Sequence, residues 1–361
     1  MNVGSTKEKS PEKRISITPD TSKSFKKLGL NIFLEKGYGD SLGYTDKDYK
    51  ENGAEILNNS EEVLSKSNLI CKVNLPSEKE LSNIKDNSHL IVSSYNPETE
   101  KKFLNNKIKI FALNLLPRIT RAQSMDVLSS QANLAGYRAV IESVYAYQKA
   151  VPMMMTAAGT VPAAKVLVVG AGVAGLQAIA TAKRLGAIVS ATDVRLTAKE
   201  QVESLGGKFL AVEGSENLET KGGYAKEVGE DFKKKQAAML ENAASKSDII
   251  ICTALIPGRP APRIINEKMI NNMKSGSVIF DLAVSQGGNS AYSEIDKIVE
   301  KNGVKIIGIS NVMNQLPLTA SNLYAKNLFS FVRNLYSKEK KQFVINLEDE
   351  IIKNTLLKEQ N

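Results

Sequence analysis

The sequence contains no tryptophan, one histidine and two cysteines among 361 residues, and 6% of its residues are aromatic. So few thiol and imidazole groups argue against a structural zinc site, and we expect no bound metal. Cys71 and Cys252 lie in separate apolar runs, which is typical of free core cysteines in a reducing compartment. His89 lies in an apolar, strand-like segment, so we expect a structural rather than a catalytic role for it.

The chain also lacks a block of like charge, although its formal net charge is +9. Its lysines are scattered and form no basic stripe with aromatic residues, so nucleic-acid binding is not indicated. The charge is explained either by a solvated basic surface or by an acidic protein partner. The first residues do not resemble a signal peptide. The apolar stretch 151–175 contains Pro152 and Pro162, so we expect no membrane span and a soluble protein.

Residues 165–186 are the stretch around which the rest of the chain is organised. An apolar, β-branched run at 166–169 predicts a buried strand, and an alanine-rich helix follows and ends near residue 186. Between them lies a turn of six residues: Gly170, Ala171, Gly172, Val173, Ala174 and Gly175. Its glycines permit a tight turn, close approach of the backbone to a pyrophosphate, and packing of helix on strand. The positive end of the helix would then face the phosphates.

A second predicted strand, 187–193, ends in Asp193, which lies 23 residues after Gly170. In dinucleotide-binding folds an acid at this place binds the hydroxyls of the adenosine ribose. A carboxylate would repel a 2′-phosphate, so NAD(H) is favoured over NADP(H). The alternative, that Asp193 caps the next helix, is weaker because Thr197 is better placed to do so. We include Val194 and Arg195 in the predicted cofactor site.

Alternating strand-like and helix-like segments predict an α/β fold with mainly parallel sheets. We expect two Rossmann-like doubly wound domains. The NAD-binding domain, residues 127–312, is inserted into a discontinuous first domain, residues 1–126 and 313–361. Strands are predicted at 2–5, 31–35, 69–73, 90–93 and 109–112, and then at 165–169, 187–193, 208–212, 248–252, 277–282 and 304–309. Helices 132–148 and 319–336 connect the two domains, and helices are also predicted near 20–28, 61–66, 78–84 and 97–105.

Three other segments carry more polar or conformational detail than connections need. In residues 118–136, Thr120 and Gln123 fit a capping box, and Ser129 or Ser130 could start the next helix. Capping and ligand binding are equal alternatives there. Residues 213–224 end in Gly-Gly223-Tyr224, which suggests the hinge of a mobile lid or a solvated excursion. The stiff turn 254–262 follows a strand, so cofactor contacts are expected at its start, from Thr253, Ala254, Leu255 and Pro257. Methionines 153–155 are expected to fill gaps in the core.

Together with residues 14–19, 156–162, 198–206, 222–227, 281–288 and 347–351, these segments make the whole chain resemble one family. It resembles the soluble NAD(H)-binding alpha subunit of the proton-translocating NAD(P) transhydrogenases, and more distantly the alanine dehydrogenases. The run Arg-Ala-Gln-Ser-Met-Asp at 121–126, followed by Ser-Ser-Gln at 129–131, is particular to the transhydrogenases.

The resemblance implies that the chain binds NADH and passes its hydride to NADP⁺ on a beta subunit, coupled to proton movement through a membrane subunit. It implies that Arg118, Gln123, Asp126 and Ser129 form the nicotinamide site, and that Tyr224 belongs to a mobile loop. It further implies a homodimer in the cytoplasm, held at the inner membrane by its partners. Direct hydride transfer between nicotinamides requires aligned, shielded rings and no general acid or base.

Alanine dehydrogenases deaminate an amino acid and therefore need acid–base groups. That family has a catalytic histidine in its first domain and an aspartate before Gln-Gly-Gly. Here Ser285 takes the place of the aspartate, and residues 93–95 are Ser-Ser-Tyr where the histidine is expected. Arg14 and Lys72 match the residues that bind the substrate carboxylate in that family. An alanine dehydrogenase-like enzyme and a non-catalytic NAD-binding module are the alternatives.

Overall fold

The computed structural model describes residues 1–96, 108–212, 229–256 and 259–357. The chain divides into two compact units. The first unit comprises Met1–Gln131 and Leu316–Asn361, and the second unit comprises Ala132–Gln315. The sequence-based boundaries had been set after residues 126 and 312, so they differ from the observed ones by a few residues. The helix Val127–Tyr147 begins in the first unit and continues into the second.

The first unit contains a six-stranded parallel sheet. Its strands are β1 (Asn2–Ser5), β2 (Asn31–Glu35), β3 (Ala54–Leu57), β4 (Leu69–Cys71), β5 (His89–Val92) and β6 (Lys109–Ala112), in the order β3-β2-β1-β4-β5-β6. The helices are Pro19–Lys27, Asp46–Glu51, Ser60–Lys66, Glu78–Ser82, Pro317–Leu335 and Glu350–Thr355. A core on one face joins Phe25 and Phe111 to Tyr324, Leu328 and Phe331 of the long helix Pro317–Leu335. This helix therefore completes the first unit, although it is distant in sequence.

The second unit begins with a separate two-stranded hairpin, β7 (Met154–Thr156) and β8 (Gly159–Val161). Its main sheet has the same strand order as that of the first unit, with one strand added. The strands are β9 (Lys165–Val169), β10 (Ile188–Thr192), β11 (Lys208–Phe209), β12 (Ile249–Cys252), β13 (Val278–Asp281), β14 (Lys297–Lys301) and β15 (Val304–Gly308). They pair in the order β11-β10-β9-β12-β13-β15-β14, and β14 is antiparallel. The helices are Val173–Arg184, Ala198–Ser204, Glu230–Ala244 and Glu267–Asn271. Both sheets thus confirm the predicted Rossmann-like fold.

Several local predictions were wrong. Residues 153–155 do not fill the core: Met153, Met154 and Met155 are 56%, 42% and 82% exposed, because they lead into the β7–β8 hairpin, which is separate from the main sheet. Strands β3 and β14 were missed. Both are edge strands, and an edge strand pairs on one side only, so its sequence carries a weaker apolar pattern. The predicted strand 208–212 is only two residues long, because its ladder to β10 ends at Phe209.

Two predictions fall on residues outside the described ranges: the helix at 97–105 and most of the insertion 213–224, with Gly223 and Tyr224. Another small hairpin, β16 (Tyr336–Ser337) and β17 (Gln342–Phe343), follows the long helix of the first unit. Across the described residues, we find no helix with the length and apolarity to cross a membrane. No cluster of three potential metal-ligating side chains occurs there either.

Candidate functional site

The turn after β9 has the geometry of a phosphate-binding turn. Gly170 has a φ of +98°, which a side chain would strain. A Cβ on Gly175 would lie 1.9 Å from the Gly170 carbonyl oxygen, so only glycine allows the helix Val173–Arg184 to pack this closely. A Cβ on Gly172, in contrast, would meet no atom within 4 Å. Gly172 is the N-cap and offers no capping side chain. The backbone N–H groups of the first turn can therefore be approached by an anion.

Asp193 follows β10 and is bound to the glycine turn. Its Oδ2 atom accepts a hydrogen bond from the Ala171 N–H at 2.7 Å. Its Oδ1 atom accepts one from the Arg195 N–H at 2.8 Å. The Arg195 side chain adds two more, from Nε to Oδ1 and from Nη2 to Oδ2, both at 2.8 Å. Burial acts to raise the pKa of Asp193, but the hydrogen bonds from Arg195 and Ala171 hold it below its usual value. The carboxylate is therefore ionised and fully hydrogen-bonded.

Thr197 does not cap the next helix as predicted. It occupies the N-cap of Ala198–Ser204, but its φ and ψ are helical and its side chain makes no capping hydrogen bond. The Asp193 carboxylate contacts the backbone of Ala171 and Arg195 instead. Asp193 thus connects the ends of β9 and β10, the place where this fold binds the adenosine ribose.

The loop after β12 lies beside the glycine turn. The Thr253 hydroxyl donates to the Gly170 carbonyl at 2.8 Å, which ties the end of β12 to the turn after β9. Strand order reverses between β9 and β12, and ligands bind in the crevice at such a switch point. Leu255 is 40% exposed there, whereas the predicted contact Pro257 lies outside the described residues.

Asn289 was not predicted as a functional residue, yet it holds this loop. Its side chain is fully buried. Its Oδ1 atom accepts from the Ala254 N–H at 3.0 Å, and its Nδ2 group donates to the Ala254 and Pro262 carbonyls at 2.8 and 2.9 Å. Asp281, also fully buried, accepts hydrogen bonds from the N–H groups of Ala283 and Ser290 and so shapes the loop that carries Asn289. The two loops at the crevice are therefore joined by buried hydrogen bonds.

Sequence families agree with this geometry. Residues 4–135 match the model "Alanine dehydrogenase/PNT, N-terminal domain", and residues 139–361 match "Alanine dehydrogenase/PNT, C-terminal domain". The chain belongs to the alanine dehydrogenase/PNT family. This family includes NAD(H)-binding oxidoreductases.

Within this family the chain is similar to transhydrogenase subunits. It is 50% identical over 98% of its length, and 95% of the relative, to an NAD(P) transhydrogenase subunit alpha chain of Rhodospirillum rubrum. It is 46% identical to the solved transhydrogenase of Sinorhizobium meliloti, with a TM-score of 0.89 over 99% of this chain and 98% of the other. It is only 27% identical to the alanine dehydrogenase of Methanococcus maripaludis, over 96% of this chain and 90% of the relative. Alanine dehydrogenase is thus the more distant relation within the alanine dehydrogenase/PNT family.

The four residues that the transhydrogenase resemblance assigns to the nicotinamide site all lie in the first unit. Asp126 and Ser129 come together: the Ser129 N–H donates to Asp126 Oδ1 at 2.9 Å, and its hydroxyl donates to Oδ2 at 2.5 Å. Arg118 and Gln123 are exposed. The Gln123 side chain makes no hydrogen bond within the described part of the chain. Two side chains are thus fixed by each other, and two extend into solvent.

The local capping predicted for this segment was wrong in its details. Thr120–Met125 is a short 3-10 helix whose N-cap is Ile119, without a side-chain cap, so Thr120 and Gln123 form no capping box. The long helix starts at Val127 rather than at Ser129 or Ser130. It does so because Asp126 accepts the hydrogen bond from the N–H of the third helical residue, as an N-cap does.

Contacts within the first unit hold this segment in place. The Ser130 hydroxyl is 2.7 Å from Asn327 Oδ1, and Asn327 Nδ2 donates to the Ser124 carbonyl at 2.9 Å. Arg121 pairs with Asp349. The exposed Gln123 is therefore carried by a backbone that is bound to the helix Pro317–Leu335.

The residues expected of an alanine dehydrogenase are arranged differently. Arg14 pairs with Glu12 at 2.8 Å, and Lys72 donates to Thr6 Oγ1 and the Lys7 carbonyl, both at 3.0 Å. Lys72 is 2% exposed and also lies near the carboxylates of Glu8 and Glu80. Both cations are thus neutralised by neighbouring glutamates. Although Lys72 lowers it, burial keeps the pKa of Glu8 above its usual value.

His89 and Ser285 do not provide an acid–base pair. His89 is the first residue of β5, and its ring packs edge-on against Phe111 and Phe343. It is thus at the amino end of a parallel strand, opposite the end at which such sheets bind ligands. Burial lowers its pKa, so it is a neutral core residue. Ser285 lies in an exposed 3-10 turn, Val284–Gln286, of the second unit.

Gly136 is a second residue whose role the sequence did not reveal. It lies inside the helix Val127–Tyr147, where glycine is less favourable than alanine by about 1 kcal/mol. A Cβ at this position would be 2.0 Å from the Ala174 carbonyl oxygen. Glycine is therefore needed because this helix meets the first turn of the helix Val173–Arg184 backbone to backbone. An isolated glycine within a helical pattern is the only signal of such a contact.

Proposed function

We propose that this chain is the NAD(H)-binding alpha subunit of a proton-translocating NAD(P) transhydrogenase. NADH binds at the carboxyl ends of β9, β10 and β12, with its pyrophosphate at Gly172 and its adenosine ribose at Asp193. The observation that carries the proposal is this combination of open glycine turn and ionised carboxylate in a chain 50% identical to a transhydrogenase alpha subunit.

The chain's own residues suit a reaction in which a hydride passes directly between two nicotinamides. When bound, NADH supplies the hydride, and the chain must bind, orient and shield its ring. The Asp126–Ser129 pair presents a fixed polar group that could orient the carboxamide of the nicotinamide. Arg118 contributes a positive charge, and Gln123 is a neutral donor and acceptor that could reach the cofactor of a second protein. The predicted lid with Gly223 and Tyr224 would exclude water on closure.

The acceptor, NADP⁺, would be held by a separate beta subunit, and a membrane subunit would couple the transfer to proton movement. We therefore propose that the chain is cytoplasmic and is held at the inner membrane by these partners. We also propose a homodimer. The exposed methionines of the β7–β8 hairpin support a protein-contact surface, because large exposed apolar residues that are adjacent mark such surfaces. The oligomeric state can be measured by light scattering coupled to size-exclusion chromatography.

The proposal is tested by rapid mixing of the NADH-loaded chain with the NADP⁺-loaded beta subunit. NADPH should form as NADH is consumed in a single turnover, and neither protein alone should support the reaction. A non-catalytic NAD-binding module would bind NADH without consuming it.

An alanine dehydrogenase is tested separately by incubating the chain with NAD⁺ and L-alanine at alkaline pH. We expect no NADH, because Arg14 and Lys72 are paired with glutamates and neither His89 nor Ser285 can serve as the required acid–base group. A sustained rate of NADH formation would contradict this.

A further inference from the structure

Arg195 occupies the same carboxylate that the cofactor is expected to use. Each oxygen of Asp193 accepts one bond from a backbone N–H and one from the Arg195 guanidinium. The side chains of Asp193 and Arg195 are 6% and 18% exposed. A carboxylate has about four acceptor sites, so no site is left for the two ribose hydroxyls. One pair of donors has to leave Asp193 before it can accept from a ribose.

The Arg195 guanidinium is the pair of donors that can leave. The Ala171 N–H is fixed by the glycine turn, and the Arg195 N–H is fixed by the backbone after β10. The guanidinium, in contrast, is at the end of a flexible side chain that also has access to solvent. Once displaced, it remains next to the 2′-position of the ribose, where an arginine binds the phosphate of NADP(H) in related folds.

Asp193 therefore does not act as an isolated negative charge. While Arg195 is paired with it, the local net charge is zero, and the simple argument that Asp193 repels a 2′-phosphate is incomplete. The two residues favour opposite cofactors: the carboxylate favours a free ribose diol, and the guanidinium favours a 2′-phosphate.

Building on the proposed binding of NAD(H), we propose that Arg195 determines cofactor selectivity by competing with the ribose hydroxyls for Asp193 and by attracting a 2′-phosphate. Arg195 thus weakens NADH binding and strengthens NADPH binding. The chain as it stands is less selective for NADH than its Asp193 alone would make it.

The experiment measures the dissociation constants of NADH and NADPH by calorimetry, in the wild-type chain and in Arg195→Ala. The ratio of the NADPH constant to the NADH constant should rise about tenfold in the variant, the effect of losing one charge-assisted hydrogen bond to a phosphate. Arg195→Gln, which keeps most of the side-chain volume without the charge, should raise the ratio as well. Arg195→Lys, which keeps the charge, should restore the ratio towards that of the wild type.

The matched control is Arg184→Ala, which removes one exposed positive charge at the opposite end of the helix Val173–Arg184. It should leave the ratio unchanged. Thermal unfolding of each variant shows that it is folded. A ratio that stays constant or falls in both Arg195→Ala and Arg195→Gln would overturn the inference while leaving NADH binding intact. Failure of the wild-type chain to bind NADH would overturn the proposed function itself, and this inference with it.

Discussion

Replacing Asn289 with alanine should weaken NADH binding through the loop after β12. The Asn289 side chain makes three hydrogen bonds to backbone groups, two with Ala254 and one with Pro262. It mimics the pairing of a neighbouring strand at the point where β12 has ended. Without it, two carbonyls and one N–H lose their partners at the edge of the crevice.

The magnitude follows from these three bonds. At about 1 kcal/mol net for each hydrogen bond, Asn289→Ala should lower the free energy of unfolding by about 3 kcal/mol. Residues 254–256 would also lose their anchor. If NADH has to order even one residue that Asn289 now fixes, the entropic cost is about 1–2 kcal/mol, which corresponds to an increase of about tenfold in the dissociation constant.

The assay combines thermal unfolding with titration of NADH, and the control is Ser277→Ala. Ser277 is 1% exposed and donates to the Ser247 carbonyl at 3.3 Å, just before the amino end of β13 and away from the crevice. This control should lose stability but keep its NADH affinity. The reasoning would be refuted if Asn289→Ala unfolds more easily and yet binds NADH as tightly as the Ser277 variant does.

Three further predictions concern other parts of the molecule. Gly175→Ala should abolish NADH binding measured by calorimetry, since its Cβ would overlap the Gly170 carbonyl oxygen; a dissociation constant within about twofold of wild type would contradict this. Gln123→Asn should leave NADH affinity unchanged but slow single-turnover transfer to the beta subunit, on the order of a hundredfold; weaker binding with normal transfer would mean a local role. The hydrogen bond from Arg121 lowers the pKa of Asp349 from 3.8 to about 2. Because this pKa is depressed on folding, the pair stabilises the fold above about pH 4 and ceases to do so as the pH falls towards 2. In acid titrations the stability gap between wild type and Asp349→Asn should therefore close below about pH 4, and a constant gap would refute the assignment.

The glycine turn and Asp193 could be predicted because each residue there satisfies a local requirement. Gly170 needs a positive φ, Gly175 needs to lack a Cβ, and Asp193 ends a strand at a fixed distance along the chain. The doubly wound arrangement was also predictable, since alternating strands and helices have few arrangements. The Asp126–Ser129 pair was anticipated only in part: both residues were named, but the sequence did not indicate that Asp126 caps the helix.

Contacts between distant segments could not be predicted in the same way. Asn289 and Ala254 are 35 positions apart, and no periodic pattern connects a buried amide to a backbone that it will meet only in the folded chain. Arg195 was included among the cofactor residues, but that its side chain occupies both oxygens of Asp193 depends on a rotamer. The exposure of Met155 likewise depends on a hairpin that leaves the main sheet, whereas methionine by composition indicates a core.

Transfer of an isotopic label tests the central claim most directly. NADH carrying deuterium at both C4 positions of the nicotinamide should be bound to this chain and mixed with the NADP⁺-loaded beta subunit in ordinary water. If the hydride passes directly from one nicotinamide to the other, mass spectrometry of the product should show a single deuterium in every NADPH. Product without deuterium, or deuterium released to the solvent, would contradict direct transfer by this chain.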